Sequence, residues 1–331
     1  MTLEDLVFSS YDSSRNVHLQ YPLTEESLGW IKESTKRVVI PSTFEPEDYV
    51  RVAAAMERSP NATLAQIGYA TNLDFLRFFP NVTSLDFAGP YESLAPLKSL
   101  TCLQDLSLTI GNFNTTSLDE VVQLGQLRRL HLRGNSSGGI KTIPEFVASF
   151  ESLNQLPNLQ VICLTELKLP HLRVISSMPA LRSLHVTQCS IGELADIGDS
   201  RTLLHLHIGY SSAKSIDFLS SLFSLQYLSL DHLSQIDHLP AMSALRGLRR
   251  IDIINLSKLT DLSPIASCPV LEDLVLVATK NIGGDDFRCF QTHPTLKHVW
   301  TDLGSQRRNS EVHSLLGLPR AGARSRFAFR I

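Results

Sequence analysis

A six-residue pattern, apolar-x-x-apolar-x-apolar, recurs along most of the chain. Copies stand at Val82/Leu85/Phe87, Leu103/Leu106/Leu108, Leu127/Leu130/Leu132, Leu159/Ile162/Leu164 and Leu181/Leu184/Val186. Others follow at Leu203/Leu206/Ile208, Leu225/Leu228/Leu230, Leu248/Ile251/Ile253 and Leu271/Leu274/Leu276. A fainter copy, Leu296/Val299, closes the series, and Leu64/Ile67/Tyr69 is the candidate to open it. From Leu159 onward the offsets are 22, 22, 22, 23 and 23 residues. A fixed period of this size marks a stacked-repeat architecture. In an extended segment alternate side chains take opposite faces, so the last two apolar residues of each copy point inward and those between and beside them point out. One copy cannot bury its own leucines, so the copies must stack into a continuous parallel sheet. Each buried Leu or Ile then contributes roughly 1.5–3 kcal/mol relative to exposure. Between motifs, Ile216, Leu219 and Leu222 are three apart, which predicts returns of 3-10 or short α-helix. The expected fold class is an α/β solenoid: a curved parallel sheet on the concave side, short helical or 3-10 segments on the convex side, and a helical N-terminal cap.

The ends depart from the repeat. Residues 1–62 are expected to form the cap, 63–302 the solenoid, and 303–331 a C-terminal cap with a basic tail. Thr24, followed by Glu25 and Glu26, begins a helix; Lys36 to Ile40 reads as a strand; Pro46 with Glu47 and Asp48 opens a second helix. Tyr49, Val52, Ala53 and Met56 fall on one face of it. The spacing from Leu127 to Leu159 is 32, and the extra length holds Ser136-Ser-Gly-Gly139 and a helix opened by Pro144 and Glu145 with Phe146, Phe150 and Leu153 on one side. That insert predicts a longer convex helix, with a partner-reaching loop as the alternative. Glu311 to Leu316 predicts a short closing helix ended by Gly317 and Pro319.

The segment Lys258-Leu-Thr-Asp-Leu-Ser-Pro-Ile-Ala-Ser-Cys-Pro-Val-Leu-Glu-Asp-Leu resembles the short repeat of internalins and of phosphatase-regulator-type leucine-rich-repeat proteins. The resemblance covers about residues 63 to 302. It breaks at the ninth repeat position, where that family has Asn or Cys. Only Asn135 and Cys189 match; Pro90, Gly111, Leu167, Ser211, Leu233, Leu256 and Thr279 stand at the others. Without that side-chain ladder, irregular turns are expected. For function the resemblance implies protein binding, by analogy.

Composition narrows the rest. Hydrophobic residues make up 43% of the chain and charged residues 19%, which suits a packed core, and the net charge of -3 gives no global case for nucleic acid or a membrane surface. The first twenty residues lack the basic start and apolar run of a secretory leader, and no apolar stretch is long enough to span a bilayer. Five cysteines without CxxC spacing argue against a disulfide framework or zinc knuckle. A cytoplasmic, reducing location is therefore expected, and Asn-x-Thr triplets such as Asn61 and Asn114 carry no weight there. The one strong local bias is the end: residues 303–331 hold Arg307, Arg308, Arg320, Arg324, Arg326 and Arg330 against Glu311 alone.

Outward strand positions are where function is sought. The middle outward row reads Asp86, Ser107, His131, Cys163, His185, His207, Ser229, Asp252, Val275 and Trp300. At about 4.8 Å per strand this row would extend roughly 45 Å. Arg129, Arg133, Arg182, His205, Tyr227 and Arg250 stand near it, with Asp231 among the flanking acids. Arg129, His131, Arg133, Arg182, His185, His205, His207, Tyr227, Asp231, Arg250, Asp252 and Trp300 are the expected partner-binding residues. Arg, Tyr and Trp are frequent interface anchors, and a mixed-charge surface favours a protein partner over a nucleic acid. No cofactor and no enzymatic activity are expected. An inhibitor or immunity-type protein acting against a toxin or effector is one specific form of this reading. Two alternatives are nucleic-acid binding through the central Arg and His residues with the basic tail, and metal-dependent hydrolysis at His185, His205 and His207. Cys163 between His131 and His185 also suggests a thiol–base pair, but a flat sheet offers it no oxyanion hole.

Overall fold

A computed structural model of the chain describes residues 15–67, 72–88, 91–110, 117–134 and 144–318. Pro90, Gly111, Asn114, Asn135, the Ser136–Gly139 stretch, Pro319 and the arginines from Arg320 onward lie outside the described residues. The chain divides into two compact units, whose described parts are residues 15–162 and 163–318.

The first unit is a parallel sheet of β1 (Asn16–His18), β2 (Arg37–Pro41), β3 (Thr63–Ile67), β4 (Ser84–Ala88), β5 (Asp105–Thr109) and β6 (Arg129–Arg133), in that order. Helix α1 (Glu25–Leu28) starts where expected, because the Thr24 hydroxyl accepts the Ser27 N–H at 3.1 Å and the Ser27 hydroxyl reciprocates to the Thr24 backbone. Helix α2 (Pro46–Met56) buries Tyr49, Val52, Ala55 and Met56, so Ala55 rather than Ala53 completes its inner face. Tyr49 stacks on Phe75 at 5.1 Å and meets Phe44 and Phe79 edge-on, which ties the cap helix to the first return. The sheet therefore draws in β1 and β2, ahead of the recurring motif.

The opening copy has a different register from the one expected. Leu64 pairs with Leu85 and Gln66 with Phe87, so Leu64 and Gln66 hold the two inward positions, while the expected Tyr69 lies outside the described residues. A glutamine in an apolar slot hides the pattern and lets a motif search slide by three residues.

In the second unit β7 (Val161–Thr165, which spans the division) is followed by β9 (Ser183–Thr187), β11 (His205–Gly209), β12 (Tyr227–Asp231), β13 (Arg250–Ile254), β14 (Asp273–Val277) and β15 (His298–Asp302). Two short strands, β8 (Lys168–His171) and β10 (Ser190–Glu193), pair in parallel beside them. From β9 to β14 the inward residues, such as Leu184, Leu206, Leu228, Ile251 and Leu274, are wholly buried. The returns are single 3-10 turns, as at Arg173–Ser177, Ala195–Asp199 and Asp217–Ser221, each centred on a buried Ile or Leu. In the first unit the long insert supplies α3 (Pro144–Glu151), the expected convex helix, with Phe146 and Phe150 inward. One return in the second unit is a four-residue helix, α4 (Ser263–Ala266). The closing helix α5 (Gln306–Leu316) begins five residues before the expected Glu311 and stops at Gly317, whose φ of 64° places it in the left-handed region.

The turns leaving these strands are regular, contrary to expectation. Glu166, Gln188, Tyr210, His232, Asn255 and Ala278 all adopt φ between 50 and 57°, one per repeat. Each donates its N–H to the last carbonyl of the next strand, as from Gln188 to Gly209, Tyr210 to Asp231 and His232 to Ile254. The backbone itself closes the turn, so the missing Asn ladder costs little regularity. At the one described match to the family's ninth position, Cys189 takes up the ladder role: its Sγ accepts the Leu167 N–H at 3.4 Å and donates to the Thr187 carbonyl at 3.3 Å.

Candidate functional site

In the first unit, strand parity sets Arg129, His131 and Arg133 outward on β6, in register with Asp105, Ser107 and Thr109. Arg129 grips Asp105 through Nε and Nη2, at 2.5 and 2.6 Å. Burial, reinforced by the positive charge of Arg133, lowers the His131 imidazole to about 4 and keeps it neutral.

The second unit carries the denser constellation. The first outward positions run Ser183, His205, Tyr227, Arg250, Asp273, His298, and the middle ones His185, His207, Ser229, Asp252, Val275, Trp300. Arg182 is not among them. It precedes β9, and its guanidinium donates to the Pro179 and Leu181 carbonyls at 3.2 and 3.1 Å, so it braces the turn. Its expected place on the face was an error of one residue, which in a strand reverses the direction of a side chain.

His205, Tyr227, Arg250 and Asp252 were expected at the surface, and they are buried: Arg250 is 1% exposed and Asp252 0%. They form a polar layer rather than a row of contacts. The Arg250 Nε donates to Asp252 Oδ1 at 2.9 Å, and the Tyr227 hydroxyl donates to Asp252 Oδ2 at 2.6 Å. The guanidinium sits 5.6 Å above the Tyr227 ring, whose plane stacks on His205 at 4.7 Å and 2°. The Ser183 hydroxyl bridges His205 Nδ1 at 2.9 Å and His185 Nε2 at 3.1 Å, and Ser229 holds His207 Nδ1 at 3.0 Å. Burial first, then the neighbouring His185 and His207, hold His205 well below its usual value. A Cβ on Gly209 would lie 2.9 Å from His207 Nε2, so a side chain there would make the imidazole shift from its present position.

What remains accessible lies beside this layer. His185 and His207 are half-buried. At the strand exits Tyr210, 50% exposed, stacks on His232 at 4.2 Å and 11°. The His232 Nδ1 is bonded to Asp231 Oδ1 at 2.5 Å. The sequence reading missed Tyr210 and His232 because they follow the strands; the available signal was that both fall one repeat apart at the same motif position. Trp300 is set apart, lining a pocket of about 340 Å³ with Asp302, Gln306, Asn309 and His313.

The three histidine rings do converge, with centroids 4.5 Å (His185–His205) and 5.8 Å (His185–His207) apart. Yet among the described residues no group of three or more His, Cys, Asp or Glu side chains is placed to hold a metal ion. The named ring nitrogens face serine hydroxyls instead. Among the described residues no helix is long and apolar enough to cross a membrane.

No protein-family model and no curated protein matches this chain. Solved structures do. An internalin from Listeria monocytogenes superposes with a TM-score of 0.52 at 16% identity, over 90% of this chain and 88% of that one. A TLR13–ssRNA13 complex gives a TM-score of 0.51 at 15% identity, over 91% of this chain and 53% of that one. Identities this low show a shared leucine-rich-repeat fold.

Proposed function

We propose that this leucine-rich-repeat solenoid is a protein-binding module whose partner docks on the second unit, at the strand-exit rim formed by Tyr210, His232 and Asp231 together with His185 and His207. One observation carries the reading: an exposed tyrosine is held in the left-handed region and stacked face to face on a histidine. A bulky side chain in that backbone region costs roughly 1 kcal/mol or more. Its retention in an aromatic pair at the surface suits an interface anchor. The buried Tyr227–Asp252–Arg250 layer beneath supplies a rigid support, so docking orders few side chains. A rigid, accessible rim also suits a blocking role, and an inhibitor or immunity-type protein against a toxin or effector is the specific form we favour. Nucleic-acid binding is disfavoured by pairing of the cations: Arg37 with Asp86, Arg129 with Asp105, Arg249 with Glu272 and Arg250 with Asp252.

The test is affinity capture from the native cells with three baits: the unaltered chain, Tyr210→Ala/His232→Ala, and a control altered in the turn after the Asp217–Ser221 3-10 segment, Phe223→Ala. A protein held by the first and third baits and lost from the second supports the rim. A partner held equally by all three refutes it.

A further inference from the structure

In the first unit an amide stands where the repeat calls for an apolar side chain. Gln66 takes an inward slot of β3, in register with Ile40 on β2 and Phe87 on β4, and it is 5% exposed. Its Nε2 has no hydrogen-bond partner among the described residues. A leucine would fill that slot without leaving a donor unmet, so core packing alone does not account for the amide. The side chain instead lines a cleft of about 370 Å³, within the range of about 300–1,000 Å³ usual for small-molecule sites. The other walls are largely aromatic. Tyr49 lies nearly parallel to Phe75 (24°) and Phe78 (14°), with ring centroids 5.1 and 6.0 Å away, and Phe44 meets it edge-on. Exposed Asp74 and Arg77 also line the cleft, one charge of each sign, and the Arg77 guanidinium sits 4.8 Å over the Phe78 ring.

We propose that this cleft binds a neutral aromatic small molecule that carries a carbonyl acceptor. The near-parallel rings select a flat apolar group, because stacking and burial both favour one that lies against them. The opposed charges of Asp74 and Arg77 present no net field to a carboxylate or an ammonium, which selects a neutral ligand. Gln66 selects the acceptor. The amide end of a glutamine turns about a broad, soft torsion, so a small rotation aims Nε2 into the cleft. A carbonyl oxygen there meets a donor that the described residues leave unmet. The missing partner thus reads as specificity, since a site built to hydrogen-bond an oxygen discriminates against the analogue that lacks it. All of these residues belong to the first unit, so the assignment is independent of the partner rim on the second.

The test uses two probes of nearly the same shape, acetophenone and 2-phenylpropene, in which a carbonyl oxygen is exchanged for a methylene. Each is titrated into the isotope-labelled full chain while the amide resonances are followed by NMR. We expect both probes to shift the backbone amides of Phe75 and Phe78, and acetophenone alone to shift the Gln66 side-chain amide. Acetophenone should bind about three- to tenfold tighter, the worth of one net hydrogen bond. In Gln66→Leu that preference should vanish while 2-phenylpropene binds at least as well. The two-probe comparison is read on the unaltered chain and so stands whatever the variant does to folding. Equal affinity for the two probes, acetophenone binding that leaves the Gln66 amide unmoved, or a preference that persists in Gln66→Leu overturns the assignment. So does the absence of any shift with either probe at roughly millimolar concentration.

Discussion

Replacing Asp252 by alanine should destabilise the second unit more than any other single change on its outward face. Asp252 is fully buried and accepts from both the Arg250 guanidinium and the Tyr227 hydroxyl. Removing one member of a buried ion pair leaves a desolvated charge without its counterion, a loss of about 3–5 kcal/mol. Loss of the Tyr227 acceptor adds roughly 1 kcal/mol. Urea denaturation followed by circular dichroism, with hydrogen exchange at the β12 and β13 amides, measures the effect globally and locally. At a slope of about 1–3 kcal/mol/M the midpoint should fall by at least ~1 M. Replacing both partners, Arg250→Met with Asp252→Leu, should recover most of the loss, because an apolar pair of similar volume asks for no compensation. A change below about 1 kcal/mol for Asp252→Ala would show that water reaches the guanidinium, and the account of a dry polar layer would fail.

Leu206→Asp, at a fully buried inward position, should abolish the cooperative melting of the second unit, and an unchanged melting curve would refute the inward assignment. Stability should also decline with acid. His205 is held well below its usual 6.5 and His131 at about 4, so the unfolded chain binds protons that the folded chain refuses. That stability is complete above about pH 6.5 and is lost as pH falls toward the folded values; urea midpoints at pH 7.5 and 5 should differ, and His205→Phe should reduce the difference. Burial pushes the Cys189 thiol up to about 11 and Cys268 up to about 12. Under native conditions iodoacetamide should therefore modify the exposed Cys102 and spare both, as peptide mass spectrometry would show.

The repeat was legible because leucine spacing is a direct record of which side chains face inward. Where a polar residue takes an inward slot, as at Gln66, the record is broken and the register slips. The direction of outward residues followed from the same parity, and failed only for Arg182, one position off the strand. Their burial did not follow. Arg250 and Asp252 read as surface charges because a local pattern carries no trace of the ring stack and ion pair that enclose them. The left-handed turns were hidden for a related reason: the residues adopting them include Glu166, Gln188, Tyr210 and Ala278, and among the six only His232 and Asn255 belong to types enriched in that region. The shared motif position of Tyr210 and His232 was visible one repeat apart, but the face-to-face stacking of the rim pair follows from those turns.

The most direct test of the docking site is site-specific photo-cross-linking in the native cells. A photoreactive phenylalanine analogue is placed at Tyr210 on the rim and, separately, at Phe223, which is equally exposed in the turn after the Asp217–Ser221 3-10 segment. Position 210 should yield a discrete cross-linked protein band that position 223 does not. A band from 223 alone, or none from 210 while the uncross-linked complex still co-purifies, would contradict recognition at the rim.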